Sequence, residues 1–153
     1  MVLSYVRDLL ERMTGARPEP DDDGDLFITY GGATFYSRVT NPDDAIVQVF
    51  GVAVADIDPT PELFEAINEI NRSIGFARAF WVGGQVLVEA EIWGVDVNPS
   101  NFQHACWNIA SAIDRFGPSL IEQFGGRPRF EELKEPEYDQ GELFRANGHG
   151  PYL

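Results

Sequence analysis

Two Gly-Gly dipeptides, Gly31-Gly32 and Gly83-Gly84, each interrupt a run rich in β-branched and aromatic residues. A two-residue hairpin turn needs positive φ at its centre, which glycine supplies without a steric penalty. If each turn is tight, the register of its hairpin follows. In the first, over Leu26 to Tyr30 and Thr34 to Val39, Asp25 faces Arg38, Phe27 faces Tyr36 and Ile28 faces Phe35. In the second, over Phe76 to Val82 and Gln85 to Trp93, Arg78 faces Glu89, Phe80 faces Leu87 and Trp81 faces Val86. Each register yields one opposite-charge pair and two apolar pairs, the combinations that stabilise neighbouring strands. Two antiparallel hairpins therefore constrain everything else.

The segments around them complete the order. Val2, Leu3, Val6, Leu9, Leu10 and Met13 form one helical stripe, with Gly15 as C-cap and Pro18 and Pro20 preventing continuation. A run from Ala45 to Ala55 is long and β-branched, as a strand crossing the middle of the sheet should be. Thr60 is placed as an N-cap, with Pro61 first in the helix and Leu63, Ile67, Ile70 and Ile74 on its buried stripe up to Gly75. The last helix opens at Asn98-Pro99-Ser100 and buries Phe102, Cys106, Ile109, Ile113 and Phe116. Gly117-Pro118 is expected to kink or break it, because proline removes a backbone donor and crowds the preceding turn. The order is α-β-β-β-α-β-β-α, an α+β fold with one antiparallel five-stranded sheet packed against helices. Residues 1–126 form this domain. Residues 127–153 read as an acidic tail of low order, docked by Phe130, Leu133, Tyr138 and Phe144.

Composition narrows the function. The chain has 153 residues, 44% of them hydrophobic, enough for one core without a metal or disulfide staple. Eleven Lys+Arg against 25 Asp+Glu leave a net charge of −14, which repels phosphate backbones and anionic lipid. Nucleic acid and membrane are therefore not expected partners, and no apolar run reaches the roughly 18 residues of a membrane span. Cys106 is the single cysteine, consistent with a reducing, cytoplasmic setting.

Chemical motifs are weak. In Asp21-Asp22-Asp23-Gly24-Asp25, with Glu19 ahead, carboxylates fall at alternate positions before a glycine, as in an EF-hand loop. Tyr30 stands where that loop needs a bidentate Glu, so a solvated loop is the simpler reading. His104 and Cys106 are two apart on a helix and point about 200° apart, and His149 lies in a separate setting. Glu89 and Glu91 share a strand face, the geometry of paired acid–base carboxylates, but Arg78 opposite Glu89 explains them as a cross-strand ion pair. No catalytic residue, metal ligand or cofactor is expected, and the chain reads as a non-enzyme. The informative feature is apolar surplus: Phe27, Tyr36, Phe80 and Leu87 share the hairpin faces of the charges, on the side away from the helices. Two readings follow: ordinary surface apolarity or cover by the tail on one side, and on the other a peptide-binding surface that receives another chain.

The stretch from Thr60-Pro61-Glu62-Leu63 through Ile67-Asn68-Glu69-Ile70-Asn71 precedes Ala77-Arg78-Ala79-Phe80-Trp81-Val82 and Val86-Leu87-Val88-Glu89-Ala90-Glu91. A helix ending in Ile-Asn-x-x-Asn before such a hairpin resembles the YbjN-like peptide-binding chaperone domains of bacteria, within the type III secretion chaperone-like fold. The resemblance covers about Met1 to Gly126. It implies a non-enzymatic cytoplasmic domain, often a homodimer, that binds a peptide or partly unfolded segment of another protein. It carries no catalytic positions to transfer. The alternative is an acidic inhibitor or immunity-type protein that blocks a basic partner site. Its carboxylates would concentrate on one face, whereas here they spread over 19–25, 56–69 and 131–142.

Overall fold

The computed structural model describes residues 1–41 and 43–130. Helix α1 (Val2–Thr14) precedes strands β1 (Asp25–Tyr30), β2 (Ala33–Thr40) and β3 (Ile46–Val54). Helix α2 (Pro61–Ser73), strands β4 (Arg78–Val82) and β5 (Gln85–Trp93) and the long helix α3 (Pro99–Phe124) complete it. The five strands form one antiparallel sheet in the order β1-β2-β3-β5-β4. Both hairpin registers match the tight-turn expectation pair for pair, and all four turn glycines have positive φ.

The helix ends follow local chemistry. Gly15 closes α1 in the left-handed conformation, donating its N–H to the Glu11 carbonyl. Thr60 accepts from the Leu63 N–H at 3.1 Å, and Asn98 with Asn101 forms a reciprocal capping box on α3. α2 ends slightly before Gly75, with Ile74 as an extended C-cap. The chain then turns at Phe76, which has φ of 58° and is 96% exposed, so β4 starts at Arg78 instead of Phe76.

Pro118 does not break α3, against the break that the sequence allows for; the helix is continuous from Pro99 to Phe124. Pro118 and Asp114, four residues before it, are both exposed, so water can satisfy the carbonyl that the missing N–H leaves. Gly117 is there for another reason. A Cβ at that position would lie 2.8 Å from the Ala53 carbonyl oxygen, so glycine lets α3 close onto β3.

One core lies between the helices and the inner sheet face. Leu26, Ile28, Phe35, Val47, Val49, Val86 and Val88 from the sheet meet Val6, Leu10, Leu63, Phe102, Cys106 and Ile109 from the helices. Ser37, fully buried among them, donates from Oγ to the Gln48 carbonyl at 2.9 Å. The opposite parity of each strand faces away from the helices.

Candidate functional site

On that outer face one row of side chains crosses all five strands: Phe27, Tyr36, Phe50, Glu89 and Arg78. On one side of it run Asp25, Arg38, Gln48 and Glu91; on the other, Val52, Leu87 and Phe80. The register that the turns dictate thus brings the expected pairs together. Phe27 and Tyr36 meet edge to face with centroids 5.7 Å apart, and Phe80 is paired with Leu87. The two pairs sit on opposite sides of β3, whose Phe50 and Val52 connect them. Phe50 stacks on Tyr36 at 5.6 Å, and Val52 is the cross-strand partner of Leu87.

Phe50 and Val52 join the four expected contacts on this face. The alternation Gln48, Phe50, Val52 against buried Val47 and Val49 held the signal. No two-residue turn joins β3 to β2, so nothing in the sequence aligned those side chains with Tyr36 and Leu87.

The charged groups lie flat against the apolar ones. Arg38 donates to Asp25, with Nη2 to Oδ2 at 2.8 Å, and its guanidinium carbon lies 5.5 Å from the Phe50 ring centre. Arg78 covers Phe80 similarly at 5.4 Å while donating to Glu89 at 3.1 Å. Gln48 Nε2 donates to both Glu89 (3.2 Å) and Glu91 (3.1 Å), holding the two carboxyls side by side. Burial raises the Glu89 pKa, and hydrogen bonding to Glu91 adds to this against the opposing pull of Arg78. Hydrogen bonds from Glu89 and Gln48 lower that of Glu91. Between the two carboxyls, Glu89 keeps its proton to higher pH.

Phe130, from beyond α3, adds a further ring to this face. After α3, Gly126 approaches β3 so closely that a Cβ would meet Val54 Cγ1 at 2.6 Å. Arg127 and Ala55 then exchange backbone hydrogen bonds of 2.8 and 2.9 Å, and Arg127 pairs with Asp56. Three residues on, the Phe130 ring lies 5.7 Å from Phe27 and 6.2 Å from Tyr36. Phe130 is one of the four residues expected to dock the tail; Leu133, Tyr138 and Phe144, like His149, lie outside the described residues.

The other candidates are placed apart. Cys106 is buried on α3 and its thiol pKa is pushed up to about 12 by that burial. It stays a neutral thiol at physiological pH and is no nucleophile. His104 is exposed on another side of the helix, with Nδ1 3.5 Å from Ser100 Oγ. Asp21 Oδ1 accepts from the backbone amides of Asp23 (2.9 Å) and Asp25 (2.8 Å), so the acidic loop is closed by its own backbone. Among the described residues, no helix is long and apolar enough to cross a membrane.

The fold recurs in solved structures. A chain of the crystal structure of the ExsC-ExsE complex superposes with a TM-score of 0.57 at 16% identity, over 77% of this chain and 95% of that one. A chain of the heterodimeric complex ExoU-SpcU, from the type III secretion system of Pseudomonas aeruginosa, gives 0.55 at 11% identity, over 74% and 95%. No curated protein sequence matches significantly. The family model described as T3SS (YopN, CesT) and YbjN peptide-binding chaperone 1 matches residues 1–132, beyond the Gly126 limit of the sequence resemblance. By that match the chain belongs to the peptide-binding chaperone family TY-Chap1.

Proposed function

We propose that this chaperone-family protein holds an extended segment of a partner protein against the outer face of its sheet. Phe27, Tyr36, Phe80 and Leu87 would be the contacts, acting in the cytoplasm, within a homodimer and without a cofactor. The observation that carries the reading is the apolar band from Phe27 through Tyr36 and Phe50 to Val52, Leu87 and Phe80, on the face that the helices leave open. Phe27 is 46% exposed. Rings held on a stiff sheet offer contact area at little ordering cost, and paired charges beside them confer register more than affinity. The two structural neighbours come from protein–protein complexes, which supports a protein partner.

Substitution of Phe80 by Ser tests this reading. With Phe80 on the outer face, unfolding in urea should shift by less than about 1 kcal/mol, as for a surface change. Affinity for a partner captured from native extract should fall by about 2 kcal/mol, as for a buried aromatic anchor. A stability loss of roughly 3–5 kcal/mol, the cost of emptying a core aromatic site, would remove Phe80 from the binding surface.

A further inference from the structure

The aromatic end of the outer face already has an occupant. The strap from Gly126 to Phe130 leaves the helix layer, is fastened by the Ala55–Arg127 bridge and the Arg127–Asp56 ion pair, and sets Phe130 on Phe27 and Tyr36. Arg129 folds its guanidinium to 5.4 Å from the Phe130 ring centre. The strap reads Arg127-Pro128-Arg129-Phe130, two cations beside one ring, in a chain with only 11 Lys+Arg against 25 Asp+Glu. The fastening and the seat differ in character. Gly126 and Arg127 are held by close backbone contacts and by the Arg127–Asp56 ion pair, whereas Phe130 rests on rings of which Phe27 is still 46% exposed.

We propose that the strap is a built-in surrogate ligand. The Phe27–Tyr36–Phe50 seat takes from a partner a segment of the same chemistry, an aromatic side chain preceded by basic residues, and Phe130 must leave for it to enter. This rests on the reading that the outer face holds a partner's segment. It adds which end of the face is selective, for what chemistry, and against which competitor. The strap supplies the anchor from within the molecule, where the effective concentration of a short tether is on the order of millimolar. A partner is then admitted with an affinity reduced by the fraction of time the seat is vacant. A basic–aromatic ligand also suits the −14 charge, which an acidic segment would have to overcome.

The test uses the full chain and a synthetic, C-terminally amidated peptide copying the strap, residues 126–130, titrated by amide NMR. In the Phe130→Ala chain the peptide should shift the Phe27, Tyr36 and Phe50 amides saturably, about tenfold more tightly than in the unsubstituted chain. The same peptide with Ser in place of Phe should leave them unmoved. Arg127→Glu, which sets like charge against Asp56 and keeps Phe130, should also admit the peptide more readily. This second variant decides the matter if the first is poorly folded. Equal affinity for all three chains overturns the proposal, as does the absence of localised shifts up to about 5 mM peptide, weaker than an anchored segment should bind. Strap exchange between two copies, seen as a mass doubling that Phe130→Ala abolishes, overturns the intramolecular form. If a captured partner leaves the Phe27, Tyr36 and Phe50 amides unmoved, the outer-face reading falls and the proposal with it. If a partner binds on that face equally well with and without Phe130, the outer-face reading stands and the surrogate falls.

Discussion

Glu89 is only 8% exposed, yet carries a carboxyl within reach of a second one. Burial and the Glu91 contact raise its pKa above the ordinary 4.5, so keeping it ionised in the folded state costs stability. That cost is present in full above the folded pKa and disappears below the unfolded one. Glu89→Gln keeps an acceptor for Arg78 and removes the charge. It is therefore expected to raise the urea midpoint at pH 7, with the gain fading as pH falls through the carboxylate range toward 4. A variant equally or less stable at pH 7 would show that the Arg78 pair outweighs the burial. At this scale the sequence was legible where a tight turn set the ruler: Arg78 opposite Glu89 and Asp25 opposite Arg38 follow by counting from the glycines. Gln48 was not legible as the bridge between the two glutamates. Its strand is aligned by packing and by a longer connection, which counting cannot measure.

The elements have their own logic, clearest at the sheet edge. β4 is an outer strand, and Asn71 of α2 covers it. Asn71 Oδ1 accepts from the Ala79 N–H at 2.7 Å, and its Nδ2 donates to the Ala79 carbonyl at 2.9 Å. The side chain amide thus takes the place of a neighbouring strand, one of the ways in which proteins blunt a reactive edge. This gives a physical role to the second Asn of Ile-Asn-x-x-Asn. Asn71→Ala leaves the buried Ala79 amide without partners and is expected to cost about 2 kcal/mol by urea unfolding. Light scattering should also show a new tendency to self-associate through the opened edge; unchanged stability would refute the clamp. At Gly117 two effects compete. Alanine gains about 1 kcal/mol of helix propensity, but its Cβ would lie 2.8 Å from the Ala53 carbonyl oxygen. Overpacking against backbone costs about 1–3 kcal/mol, so Gly117→Ala should lower the thermal midpoint despite the better helix former. Periodicity made α1, α2 and α3 legible, and capping residues set their starts. Whether Pro118 would break α3 was not legible, because it depends on which side of the helix meets water.

For the molecule as a whole, net charge and apolar surface pull in opposite directions. Two copies of a −14 chain repel each other, so a homodimer must bury enough apolar area to overcome that. Candidates outside the outer face exist in Phe64 and Trp107, both about half exposed. Light scattering at micromolar concentration is expected to return twice the chain mass, and the dimer should dissociate more readily at low salt, where repulsion is least screened. A single-chain mass at every salt concentration rejects the homodimer. The fold class was legible from the order of the elements, and the central place of β3 from its β-branched length. The order β1-β2-β3-β5-β4 was not, because it is set by the long-range pairing of β3 with β5. That pairing also bears on how the molecule assembles in time. Each Gly-Gly hairpin is a local unit that can close in about 1–10 μs. Joining them brings Ile46 to Trp93 across the whole of α2 and β4, a loop whose closure entropy is lost before any contact rewards it. Substitutions at the seam between the hairpins are therefore expected to slow folding more than substitutions within either hairpin, a contrast that stopped-flow refolding would read.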